Sequence, residues 1–117
     1  MSLIPHERNN IDQFFSKEKF VLDTCQQINK DLAGLVQFEP NISVDIDENV
    51  LDQLVNILKD ILLQMDSAKI QQFIYKVDLK ESAFIRAVSQ EDDFQNLALL
   101  IIEREAQKVY LRHKFSP

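Results

Sequence analysis

A length of 117 residues fits one domain, and 45% hydrophobic and 27% charged residues are ordinary for a soluble globular protein. The chain has one glycine and three prolines, too few turn residues for a sheet-rich fold or a glycine-rich phosphate-binding loop. Its formal net charge of −6 argues against binding to nucleic acid or anionic lipid. Composition therefore favours a helical domain that binds neither nucleic acid nor membranes.

Residues 1–15 are predicted to form an N-terminal arm, and residues 16–117 a single helical domain. Pro5 interrupts the arm, which lacks the apolar region of a signal peptide. No apolar run in the chain approaches the roughly 18 residues of a membrane span. A single cysteine, Cys25, excludes an intrachain disulfide framework and fits a reducing compartment, so we expect a cytoplasmic protein.

The first long helix is predicted over residues 17–33, where apolar residues recur at four- and three-residue steps. Ser16 is suited to cap its start, and Gly34 stands where a helix C-cap would be. Cys25 lies on the apolar face of this helix, in mid-helix and with no neighbouring cation. We therefore expect a buried structural cysteine rather than a reactive thiolate.

Residues 36–46 have two competing interpretations. Ile42, Val44 and Ile46 alternate with polar residues, which is the period of a strand. Pro40 disfavours helix, and it cannot supply the positive φ that a two-residue hairpin loop prefers. We expect an extended connector whose alternate side chains enter the core, and the alternative is a short strand or hairpin.

The strongest helical pattern covers residues 47–65, with Asp47 at its start as the predicted cap. Apolar side chains form a stripe broad enough to need two or more partners. We therefore expect this helix at the centre of the domain or at a subunit interface. Ile57 and Leu63 fall beside the main stripe, which makes them candidates for a contact with another chain.

The C-terminal half is predicted to contain two short helices and one long helix, each preceded by a capping signal. The signals are Asp66 and Ser67 for residues 68–77, Asp78 with Glu81 for 79–88, and Ser89 with Asp92 for 91–113. The predicted fold is all-α, a compact antiparallel bundle of four main helical segments in which the last helix lies along helix 47–65.

No pattern for catalysis or metal binding is complete. Residues 45–49 match the first three ligand positions of an EF-hand loop, but Val50 and Asn56 replace the required glycine and bidentate glutamate. His6 and His113 have no metal-ligand partner at a suitable helical spacing. No nucleophile elbow is present. We therefore expect a non-catalytic protein without a metal or a cofactor.

The last helix carries the densest set of polar side chains. Part of this set is a solvated helix end, because its basic last turns complement the helix dipole. A stripe of Glu103, Ala106, Tyr110 and His113 also places an apolar and aromatic strip beside charges of both signs, which suits protein contacts. The candidate interaction surface comprises Ile57, Leu63, Glu103, Ala106, Tyr110 and His113.

Two functions follow as hypotheses. The first is a non-catalytic interaction protein that binds itself or another protein, because a monomer of this size is short of surface to cover helix 47–65. The second is a small-ligand or regulatory module with an aromatic pocket between helices. Its predicted lining is Phe73, Tyr75, Phe84 and Phe94.

Overall fold

The computed structural model describes residues 17–115, and only the backbone of residue 115. The predicted arm and the Ser16 cap lie outside the described residues. Within the described part the chain forms five α-helices and no strand. The helices are α1 (Glu18–Leu32), α2 (Val50–Gln64), α3 (Ser67–Val77), α4 (Glu81–Val88) and α5 (Gln95–Phe115). The all-α fold class is confirmed, and none of these helices is both long and apolar enough to cross a membrane.

The central element is α5, which packs against each of the other four described helices. Leu97, Ile101 and Ile102 are completely buried, and the equally buried Ala98 and Ala106 allow close approach of neighbouring helices. The helix predicted to be central, α2, instead packs chiefly against α5. The prediction that α2 is the central helix is therefore wrong, because α5 and not α2 packs against each of the other described helices.

The helices α1 and α5 run in opposite directions. Asp23 near the start of α1 lies 2.9 Å from His113 near the end of α5. Asp31 at the end of α1 lies 3.0 Å from Lys108, which is more than a turn earlier in α5. The order of the contacts therefore makes this pair antiparallel, as expected for the bundle.

The connector between α1 and α2 is extended and is held by two side-chain amides. The Ile42 N–H donates to Asn29 Oδ1 of α1 at 2.8 Å, and Asn29 Nδ2 donates to the Ile42 carbonyl at 3.3 Å. Gln53 of α2 makes the same pair of contacts with Asp45, at 3.0 and 3.1 Å. Ile42 is thereby buried, and the connector bridges α1 and α2 without any strand in residues 33–49.

Two of the predicted helix ends have the expected local chemistry. Gly34 follows α1 with φ of 82°, a left-handed conformation that glycine adopts without a Cβ clash. The Asp66 side chain accepts a 2.8 Å hydrogen bond from the Lys69 N–H at the start of α3. Both features are local, which is why the sequence alone predicts them.

The two predicted capping boxes are not formed. Asp78 ends α3 in the left-handed conformation, with φ of 65°, instead of capping α4. The Ser89 hydroxyl donates back to the Arg86 carbonyl at the end of α4. Asp93 and Phe94 also have positive φ, which interrupts the helical backbone, so α5 begins at Gln95 rather than at residue 91.

Candidate functional site

The stripe predicted on the last helix ranges from completely buried to exposed. Ala106 is completely buried, which excludes it from any outer surface. Tyr110 packs partly buried against the core, with the Lys114 ammonium 5.8 Å from its ring centre. His113 Nε2 lies 2.9 Å from Asp23 Oδ2. The structure removes Ala106 from the predicted interaction surface because α5 is central, whereas Glu103, Tyr110 and His113 are at least partly exposed and a contact there stays a prediction.

Polar side chains join α1 to α5 along one face of α1. The contacts recur at four-residue steps on α1, a spacing that keeps them on one side of that helix. The three pairs are Asp23 with His113, Gln27 with Arg112 and Asp31 with Lys108, at N···O distances of 2.9, 3.0 and 3.0 Å. The polar density of the last helix thus serves helix packing.

The most deeply buried charged group is Glu105, whose exposed fraction is 0%. Lys108 Nζ lies 2.6 Å from Glu105 Oε1 and 3.0 Å from Asp31 Oδ2. The geometry at Oε1 is not that of a hydrogen bond, and Oε2 accepts none from the described residues. A protonated carboxyl group fits this site better than a carboxylate, because the site is completely buried and Asp31 already shares the single ammonium, whereas a protonated Glu105 can donate to Asp31.

The pKa values of the Glu105 and Asp31 carboxyl groups are shifted in opposite directions. The pKa of Glu105 is raised to about 9, first by burial and then by the hydrogen bond and negative charge of Asp31, which together outweigh the lowering effect of Lys108. Burial also raises the pKa of Asp31, but hydrogen bonds with Glu105 and Lys108 and the Lys108 charge outweigh it, so the net shift is downward. The cluster therefore holds an ionised Asp31–Lys108 pair and a protonated Glu105.

The basic side chains of this region also cap helix C-termini. Lys76 Nζ donates to the Ala33 carbonyl at 3.3 Å, and Lys108 Nζ donates to the Lys76 carbonyl at 3.3 Å. Arg104 donates to the Asp78 carbonyl at 3.2 Å and pairs with its carboxylate at 3.1 Å. Cations near a helix C-terminus satisfy unpaired carbonyls and stabilise the dipole. These residues have a structural role that requires no ligand.

The aromatic residues predicted to line a pocket do not converge on one. Phe73 is completely buried in the core, whereas Tyr75, two residues later on the same helix, is 86% exposed. Phe84 and Phe94 pack partly buried against the core. None of the depressions described below is lined by any of these four rings.

The largest described depression lies between the start of α4 and the middle of α5, with a volume of about 540 Å³. Leu79, Ala83 and Leu100 give it apolar lining, and charged residues of both signs surround them. One of these charges is Glu103, which is half-buried and belongs to the predicted interaction surface. This depression therefore has mixed electrostatic character.

A second concave surface lies where the connector meets α2, and we call it the Phe38 groove. It consists of two depressions with volumes of about 410 and 220 Å³. Phe38 and Ile61 line both depressions, so the two meet there, and the Phe38 side chain is 50% exposed. The apolar lining of the groove comprises Leu35, Val36, Phe38, Ile42, Ile57, Ile61 and Met65.

The two predicted contact residues on α2 have different positions relative to this groove. Ile57 is half-buried and lines the larger depression. Leu63 is 50% exposed but lines neither depression. The structure thus places Ile57 in a concave site and Leu63 on the outer surface of the helix.

The net negative charge of the protein is concentrated in the segment that supplies most of the lining of the Phe38 groove. Residues 36–66 contain seven carboxylates and one lysine, so their formal charge of −6 equals that of the whole chain. Glu39 and Asp60 line the larger depression, and Asp66 lines the smaller one together with Lys69. The rim of the groove is therefore predominantly acidic.

Neither an exposed thiol nor a metal-binding cluster is found within residues 17–115. Cys25 is 4% exposed, and burial raises the pKa of its thiol to about 11, which confirms the predicted buried cysteine. No three His, Cys, Asp or Glu side chains within residues 17–115 are placed to hold a metal ion.

One of the two features that define the Phe38 groove could be found from the sequence, and the other could not. The segregation of charge into residues 36–66 can be counted directly from the sequence. The exposure of Phe38 cannot be predicted from the sequence. Val36 and Phe38 lie on either side of Gln37 and would share one face of an extended segment, but the pattern does not say whether that face is buried. Comparisons with protein-family models, with curated proteins and with solved structures find no match to this chain.

Proposed function

We propose that this protein is a non-catalytic interaction module that binds a segment of another protein in the Phe38 groove. The observation that carries the proposal is the half-exposed Phe38 ring beside Ile57 and Ile61 in two adjoining apolar depressions. Isolated exposed apolar residues are ordinary on protein surfaces. An apolar concavity differs because it can enclose the side chain of a partner and exclude water from it.

The support for the groove is rigid. Ile42, which lines the larger depression, is fixed to Asn29 through both of its backbone groups. Ile57 and Ile61 belong to a helix whose opposite face is buried against α5. A site formed before binding loses little conformational entropy when a partner arrives, and this favours binding.

A displayed library of random peptides selected on the wild-type protein tests this proposal. The matched variants are Phe38→Ser and Leu63→Ser, because both residues are 50% exposed and only Phe38 lines the groove. We expect selected peptides to bind Leu63→Ser like the wild type, and Phe38→Ser at least about tenfold more weakly. Selected peptides that are insensitive to Phe38→Ser, or a library that yields no binder, would overturn the proposal.

Self-association is the competing form of an interaction function. A two-fold dimer through α2 would place the acidic segment 36–66 against its own copy, and like charges oppose that contact. We therefore expect a monomer in light scattering coupled to size exclusion over a hundredfold concentration range. A dimer abolished by Phe38→Ser would instead assign the groove to a second copy of this chain.

Small-ligand binding is the second candidate function, and the depression between α4 and α5 is the observation that favours it. Its apolar floor and its exposed Lys80 are suited to a small molecule that has one apolar end and one anionic end. Thermal shift of the wild type and of Ala83→Phe, which fills the depression, tests it. Compounds that stabilise only the wild type would support this function, and a flat response across a metabolite library would reject it.

A further inference from the structure

We infer that the segment bound in the Phe38 groove is cationic, with a large apolar anchor flanked by lysine or arginine. This inference rests on the proposed function and identifies the chemistry of the partner. Two features carry it together: the apolar concavity, which requires an apolar anchor, and the distribution of charge along the chain.

The charge distribution is strongly asymmetric. Residues 36–66 have a formal charge of −6, and the remaining residues together are neutral because their acidic and basic side chains are equal in number. The connector and α2, which lie within this range, supply most of the groove lining. The site thus lies in a segment whose formal charge equals that of the whole chain.

The charges lie next to the apolar lining. Glu39 and Asp60 are exposed and line the depression that contains Ile57. Asp66 is also exposed, and its carboxylate is held in place by the Lys69 N–H at 2.8 Å. A bound segment with its anchor beside Phe38 would therefore have carboxylates on both sides of that anchor.

The main effect of these charges is to discriminate between cationic and acidic partners. An exposed ion pair contributes little free energy and is screened by salt. An acidic rim nevertheless accelerates the approach of a cationic segment and opposes an acidic one. The same rim excludes nucleic acid and anionic lipid as occupants.

The test compares two double variants with the same change in net charge. Glu39→Lys with Asp60→Lys reverses two rim charges, whereas Glu48→Lys with Asp52→Lys reverses two charges in the same acidic segment that do not line the groove. The probes are peptides from the displayed library whose binding requires Phe38, resynthesised in three forms with lysine, glutamine or glutamate at their charged positions.

We expect the lysine forms to bind best, and the rim variant to weaken them at least about tenfold at 0.15 M salt. The other double variant should weaken them by less than about threefold, and the difference should shrink in 1 M salt because of screening. Peptides that require Phe38 but bind equally in all three forms would overturn the inference and leave the proposed function intact. A library without Phe38-dependent peptides would overturn both.

Discussion

The Asn29 side chain binds both backbone groups of Ile42, thirteen positions later in the chain, at 2.8 and 3.3 Å. A neighbouring strand would offer the same donor and acceptor to an extended residue. Here one amide on α1 replaces that strand and satisfies a backbone that would otherwise enter the core unpaired. The extended conformation of the connector at Ile42 therefore depends on a side chain of a different element, as it does at Asp45 on Gln53 of α2.

We expect Asn29→Ala to lower the free energy of unfolding by about 1–3 kcal/mol, because it leaves the Ile42 N–H and carbonyl without their partner. Urea denaturation measures this loss. Amide hydrogen exchange should show faster exchange at Ile42 than elsewhere in the core.

The control is Gln26→Ala, which changes an exposed polar residue on the same helix. Its effect should stay within about 0.5 kcal/mol. Equal stability of the two variants, with unchanged protection at Ile42, would show that the connector does not depend on Asn29.

The Glu105 carboxyl group predicts a specific pH dependence of stability. Burial raises its pKa from 4.5 to about 9, so between these values the folded protein binds a proton that the unfolded chain releases. Its stabilising contribution is complete below pH 4.5 and is lost as the pH rises towards 9. Asp31 has the opposite sign because its pKa is lowered, so its contribution is lost only in acid, outside this window.

Glu105→Gln tests this dependence because glutamine remains neutral at every pH. Urea midpoints at pH 5, 7 and 9 should show the wild type losing stability relative to the variant at each step, by at most about 1.4 kcal/mol per pH unit. The exposed Glu91→Gln should follow the wild type. Parallel profiles for the wild type and Glu105→Gln would mean that Glu105 is already ionised in the folded protein.

Helical periodicity predicted α1, α2, α3 and α5, because the buried face of a helix repeats at the same interval along any sequence. The helix α4 was predicted from a capping box that is not formed. Periodicity could not predict which helix is central, since that depends on how many neighbours cover each helix. Ala106 shows the consequence: its spacing fits an outer stripe, yet it is completely buried. Counting apolar residues on α2 overestimated the surface that α2 leaves uncovered.

The buried cluster of Asp31, Glu105 and Lys108 could not be predicted from the sequence for a similar reason. Glu105 and Lys108 are three residues apart, which in the sequence resembles an ordinary surface pair. Only the approach of Asp31 from α1 makes it a buried site. Phe38 likewise lines a groove because the connector runs beside α2, a tertiary relationship with no local signal in the sequence.

The Cys25 thiol should react slowly in the folded protein. It is 4% exposed, and burial raises its pKa to about 11, so both access and the reactive thiolate are limited. We expect labelling by a disulfide reagent at pH 8 to be at least about a hundredfold slower than in the urea-unfolded chain.

The matched control for that measurement places a thiol one residue away, as Gln26→Cys in a Cys25→Ala background, because Gln26 is exposed. Its labelling rate should approach that of the unfolded chain. A wild-type rate equal to that of this control would show that the interior between α1 and α5 opens readily in the folded state.

Leu62 and Leu63 are adjacent on α2 but differ in exposure, at 0% and 50%. Leu62→Asp places an unpaired charge in the core, so we expect a loss of about 3–5 kcal/mol or an unfolded chain. Leu63→Asp keeps its charge in water, so the circular dichroism spectrum and the urea midpoint should stay close to those of the wild type.

Light scattering on the folded Leu63→Asp variant then separates two roles for α2. An unchanged monomer agrees with binding through the Phe38 groove, whereas a wild-type dimer that dissociates in this variant would move the interface to the outer face of α2, because Leu63 lines neither depression of the groove.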